Sequence, residues 1–148
     1  MTGAGPSIVV GVDGSDGARL ALRWAVAEAR RWGALLVLVH AWQDVMAADF
    51  VASAVAAMES AAKQVLARAQ REAEELGGDA VDARLERGGA ADVLLRAAED
   101  ADLLVVGSRG RGGFSALLLG STSQQCVQHA SCPVVVVPGA TSIAKQSS

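Results

Sequence analysis

Tyrosine is absent from this chain, and only two phenylalanines and three tryptophans stand among its 148 residues. So few rings leave no series of platforms on which nucleic-acid bases would stack. Charge is equally uncommitted, with 13 Lys and Arg against 16 Asp and Glu spread along the chain and a net charge of -3. Phosphate backbones are held by concentrated positive charge, so nucleic acid is set aside as a partner. Only two cysteines occur, Cys126 and Cys132, at a spacing that matches neither a C-x-x-C redox pair nor a zinc-ligand set. They read as reduced packing residues of a cytoplasmic protein. No apolar run approaches the roughly 20 residues needed to cross a bilayer. The start, MTGAGPSIVVGVDGS, lacks a basic region and carries only the short apolar segment IVVGV, so neither a signal peptide nor a membrane anchor is expected.

What the chain has instead is alternation. SIVVGV (7 to 12), ALLVLVHAW (34 to 42), AVDARLE (80 to 86), DLLVVG (102 to 107) and PVVVV (133 to 137) are short runs of strand length. Four of them are almost continuously hydrophobic, the pattern of strands covered on both faces, whereas AVDARLE alternates as an edge strand does. Between them lie segments of helical period. SDGARLALRWAVAEARRWG is bounded by Ser15 as N-cap and Gly33 as C-cap. Val51, Val55, Met58, Ala62, Val65, Ala69 and Leu76 form one apolar stripe of a long second helix, ending at Gly77 and Gly78. Residues 90 to 99 and 121 to 130 make a third and a fourth, the last stopped before Pro133. A β-α-β-α-β-α-β-α-β order implies a five-stranded parallel sheet with helices on both faces, in one domain whose core spans about residues 6 to 138. The tail, residues 140 to 148, is expected to be disordered.

Ligands in such sheets collect at the carboxyl ends of the strands, where the winding direction reverses. With the first and fourth strands adjacent there, Val12, Asp13 and Gly14 face the stretch GSRGRGGFSALLLGST (107 to 122). Gly107 and Gly110 permit close backbone approach, and Gly120, Ser121 and Thr122 put free N–H groups and two hydroxyls at the start of the fourth helix. That suits phosphate, with Arg109 or Arg111 adding charge-assisted contacts. Asp13, an anion, is better matched to ribose hydroxyls or the adenine amino group. The glycine spacing matches neither G-x-x-x-x-G-K-[ST] nor G-x-G-x-x-G. It reads G-x-x-G, nine residues, then G-[ST], with Gly107, Gly110, Gly120 and Ser121 in register.

With that motif, the chain resembles the universal stress protein family in its ATP-binding branch. The resemblance covers about residues 6 to 138 and rests on IVVGVDGSDGARLALRWA, LVLVHAW and DLLVVGSRGRGGFSALLLGSTSQQCVQHASCPVVVV. It implies a doubly wound sheet of order 3-2-1-4-5. It also implies that Val12, Asp13 and Gly14 with Ala41 line a base and ribose pocket, and that Gly107, Gly110, Gly120, Ser121 and Thr122 hold phosphates. Relatives often carry a proline after the third strand where this chain has Gly88 and Gly89, a change that predicts a more mobile loop. In the implied order PVVVV is an edge strand, and the resemblance implies a homodimer in which Val134, Val135, Val136 and Val137 pair with a second copy.

The leading expectation is an ATP-binding stress or signalling switch, with or without magnesium, and without efficient hydrolysis. No general base for attacking water and no acidic pair for catalytic magnesium is evident. The alternatives are an ATPase or adenylyl transferase using Asp13 and Arg109 or Arg111, and a dimeric module preferring AMP or cyclic AMP. His40 and His129 read as structural, and Ser115 does not sit in a G-x-S-x-G elbow. Trp24 with Leu20, together with Trp32 and Trp42, reads as core.

Overall fold

The Val- and Leu-rich runs form five strands, β1 (Ser7–Gly11), β2 (Leu35–Trp42), β3 (Val81–Arg87), β4 (Leu103–Gly107) and β5 (Val134–Val137). The computed structural model describes residues 5–43, 52–109 and 119–139, and within these the helices are α1 (Asp16–Trp32), α2 (Ala52–Glu75), α3 (Ala90–Ala97) and α4 (Ser121–His129). Every element expected from sequence is present, with ends shifted by a residue or two, and a 3-10 turn (Ala98–Asp100) completes the third helical segment. Val51 and the tail from residue 140 lie outside the described residues.

All strand pairs are parallel, in the order β3-β2-β1-β4-β5. The order follows from the alternation of strand and helix, because a parallel neighbour is reached only by a crossover, which the helices supply. The chain winds outward from β1 to β3, then returns to β4 on the other side of β1, so the reversal lies between β1 and β4.

Two cores flank the sheet. Ile8, Val10, Leu36, Leu38 and Val105 pack with Leu22 and Val26 of α1 and Leu66 of α2. The alternate residues Val9, Val37, Val39, Leu104 and Val106 pack with Val93 and Leu94 of α3 and Cys126 of α4. The central strands β1, β2 and β4 thus supply successive side chains to opposite layers, which is why their sequences are almost continuously apolar. The edge strands differ. None of the β3 or β5 residues is fully buried, as the alternation in AVDARLE indicates for β3.

Helix α1 is capped as its sequence requires. Ser15 Oγ accepts from the Ala18 N–H (3.2 Å), and Gly33 ends the helix in the left-handed region at φ 65°. Its buried face is mostly small, with Ala18, Ala21, Leu22, Ala25, Val26 and Ala29 against the sheet. This corrects the expectation that the tryptophans are core residues. Trp24 and Trp32 are 36% and 42% exposed, because a helix lying close on the sheet seats small side chains and turns the large ones outward. Trp42 is half-buried at the end of β2, with the Arg87 guanidinium 5.4 Å from its ring centroid. The loop after β3 is tied, its Gly88 N–H donating to the Trp42 carbonyl (2.8 Å).

Candidate functional site

The carboxyl ends of β1 and β4 carry Val12 to Gly14 and Gly107 to Arg109, and local bonding sets which of their polar groups are already engaged. Gly14 has φ 83°, a conformation few residues other than glycine adopt, and it turns the chain from β1 into α1. Asp13 Oδ1 accepts from the Ser15 N–H (2.9 Å) and from the Ser15 hydroxyl. One carboxylate oxygen therefore shapes the turn, and Oδ2 is left without a partner among the described residues. Val12 is 5% exposed with its side chain in the α1/α2 core, so it offers a ligand only its backbone. Ala41 packs on the opposite layer, beside the α3/α4 core, and is half-buried.

Across the crevice, β4 runs directly under the first turn of α1. A Cβ at Gly107 would stand 2.8 Å from the carbonyl carbon and oxygen of Gly17, and a Cβ at Gly17 would stand 2.5 Å from the Arg109 carbonyl oxygen. Gly107 is thus required for the close approach of β4 to α1, whereas its place in the motif points to close approach of a ligand. Gly17 is its partner in that approach and was not identifiable from sequence, since a backbone contact leaves no periodic trace.

The root of the glycine loop is closed by hydrogen bonds. The Ser108 N–H donates to the Val137 carbonyl (2.9 Å), and the Ser108 carbonyl accepts from the Gly120 N–H (2.7 Å) and the Ser123 hydroxyl (2.8 Å). Gly120 is the N-cap of α4 and supplies no side-chain cap. The expectation of a free N–H at Gly120 is therefore corrected: it is spent holding Ser108, and the donors without intrahelical partners are those of the first turn of α4 that follows. Ser121 is exposed and Thr122 half-buried at that terminus. Ser123, 3% exposed, holds the loop root and was not singled out from sequence; the signal available was a third hydroxyl in the first turn of α4. Arg109 is half-buried, and its Nη2 lies 3.9 Å from where a Gly139 Cβ would stand, which places the guanidinium beyond the end of β5. Gly110, Arg111 and the residues after them up to 118 lie outside the described residues.

A cleft of about 390 Å³ between α1 and α2 opens beside Gly14, with Val12, Leu22 and Val65 in its floor and Arg68 on its rim. The Arg19–Glu72 ion pair (3.1 Å) spans it. Among the described residues, no three His, Cys, Asp or Glu side chains come together as metal ligands, and no helix is long and apolar enough to cross a membrane.

Residues 6–138 match the model of the universal stress protein family. The chain belongs to the universal stress protein family. This universal stress protein is 42% identical over 137 residues to one from Thermus aquaticus, covering 88% of this chain and 97% of that relative. It is 40% identical over 130 residues to one from Mycobacterium tuberculosis, and there it spans 87% of itself but only 44% of the relative's length. Among solved structures it is similar to a universal stress protein in complex with cAMP (27% identity, TM-score 0.71, 93% of this chain and 99% of that one). A universal stress protein from Archaeoglobus fulgidus in complex with dAMP is similarly related (26% identity, TM-score 0.67, 89% and 97%).

Proposed function

We propose that this universal stress protein binds an adenine nucleotide, ATP foremost, in the crevice between the carboxyl ends of β1 and β4, and acts as a nucleotide-dependent stress or signalling switch. The observation that carries this reading is the approach of Gly107 and Gly17 to within backbone contact. It brings the root of the glycine loop against the first turn of α1, and the Ser108–Gly120 bond ties that root to the start of α4, which supports a shared pocket. Phosphates would take the N–H groups and hydroxyls of Ser121 and Thr122 at the α4 N-terminus, where the helix dipole favours an anion. Asp13 Oδ2 would accept from ribose hydroxyls or the adenine amino group. Gly14, Ala41 and the Val12 backbone would complete the pocket, and Gly107, Arg109, Gly110, Arg111 and Gly120 would frame the phosphates.

The absence of efficient hydrolysis belongs to the same reading, since one oxygen of Asp13 is already committed to the turn. A second reading, a preference for AMP or cyclic AMP, is favoured by the relatives crystallised with cAMP and dAMP. We place the protein in the cytoplasm as a homodimer joined through Val134, Val135, Val136 and Val137, because β5 presents an unpaired sheet edge.

The test is to denature protein purified without added ligand, identify released nucleotide by chromatography and mass, and titrate the emptied protein with ATP, AMP and cyclic AMP by calorimetry. Binding of ATP, abolished by Gly120→Val, is expected. Absence of binding by every adenine nucleotide would reduce the glycine loop to a turn.

A further inference from the structure

His40 and Ser123 are the polar residues buried among those described, and Ser123 is explained by the loop it closes. His40 sits on β2 one residue past the end of the β1–β2 register, which runs from Ser7↔Leu35 to Gly11↔Val39. The Val12 N–H still donates to the Val39 carbonyl (2.9 Å). Its own carbonyl would ordinarily accept the next backbone N–H of a parallel ladder. Instead His40 Nδ1 lies 2.7 Å from the Val12 oxygen. A carbonyl only accepts, so Nδ1 carries the proton, and the imidazole supplies the rung that the backbone does not.

This bond has a geometric consequence on the other side of the peptide. The Val12–Asp13 peptide is trans and planar, so its N–H points opposite to its C=O. The carbonyl is turned toward β2. Because β1 lies between β2 and β4, the Asp13 N–H is turned toward β4 and the root of the glycine loop. That N–H has no hydrogen-bond partner among the described residues. It is an unpaired donor aimed across the crevice at a half-buried position.

We infer that His40 is a positioning residue for the ligand site: by holding the Val12 carbonyl it presents the Asp13 N–H to an acceptor atom of the nucleotide, a base ring nitrogen or a ribose oxygen. The inference rests on the nucleotide-binding reading given above, and adds a donor to it. His40 touches no ligand itself, and acts through the plane of one peptide.

Three variants separate this role from general support of the core. Asn places an amide N–H at the same number of bonds from the backbone as Nδ1. Gln places it one bond farther, and Leu removes it. His40→Asn should bind ATP within about threefold of the parent, and His40→Gln and His40→Leu about tenfold more weakly or worse, at a temperature where thermal melts show each folded. Asn and Gln have the same chemistry, so a difference between them reads position alone. Equal affinity across the series would overturn the inference. A ligand-independent measurement keeps the outcome separate from that of the nucleotide reading. The Val12 carbonyl ¹³C and Asp13 amide resonances should move in the Gln and Leu variants and stay near the parent's in the Asn variant. Resonances that stay put in all three would refute the positioning role even if ATP binds, and resonances that follow the series would uphold the peptide geometry even if the parent binds no nucleotide.

Discussion

Replacing Gly17 with Ala tests whether the contact between α1 and the glycine loop governs this end of the molecule. On helix propensity alone the change is favourable, since Gly costs about 1 kcal/mol relative to Ala within a helix, part of it through the freedom of the unfolded chain. Packing opposes it. The new Cβ would stand 2.5 Å from the Arg109 carbonyl oxygen, where ordinary contact begins at 3.4 Å, so backbone must retreat by most of an ångström. The obstacle is not a flexible side chain, and the preceding residue, Ser108, is bonded through both its N–H and its carbonyl. Overpacking of this kind costs about 1–3 kcal/mol, and each strained hydrogen bond about 1 kcal/mol more. The balance is a net loss of about 1–2 kcal/mol, read as a lower urea midpoint with an unchanged slope. Ala27→Gly, at an exposed position of the same helix, calibrates the propensity term and should cost about 1 kcal/mol by itself. A Gly17→Ala midpoint above that of the parent would refute the reasoning, because it would mean that the loop root yields freely.

Two further outcomes are expected. Burial raises the Cys126 thiol from 9.0 to about 11, so the folded state holds that proton more tightly than the unfolded chain does. Its contribution is therefore complete below pH 9 and lost as the pH climbs toward 11, at up to about 1.4 kcal/mol per pH unit; denaturant titrations should show that slope, and Cys126→Ala should lessen it. Val135→Pro removes a ladder donor from β5 and should turn the proposed dimer into monomer or aggregate, so a variant that sediments as a dimer would count against the β5 edge as the joint.

Most of the scaffold was legible because its physics is periodic. Strands buried on both faces must be apolar at nearly every position, and β1, β2 and β4 are, apart from Ser7 and the buried His40; β3 alternates because only one face is covered. Ser15 and Gly33 cap α1 where their chemistry demands. Of the motif glycines, Gly107 stands where backbone must pass close to backbone, against Gly17 at the start of α1. What the sequence hid was which groups were already spent. Nothing in GST reveals that the Gly120 N–H is bound to Ser108, nor in VDGS that half of the Asp13 carboxylate shapes its own turn. The tryptophans of α1 misled because size was taken for depth, whereas a helix pressed on a sheet by alanines leaves no room beneath it for indole.

The bonds at Ser108 also separate the loop's anchorage from its contents. Residues 108 and 120 are held together by a backbone bond and a buried serine on the helix side, so the ends of the excursion are fixed whatever lies between them. Closing such a loop scales only with the logarithm of its length, and doubling the intervening stretch would cost about 0.6 kcal/mol. A change in the number of residues between these two ends is therefore of little expense to the sheet. The clasp of Ser108, Gly120 and Ser123 thus holds the two ends of the excursion independently of its length.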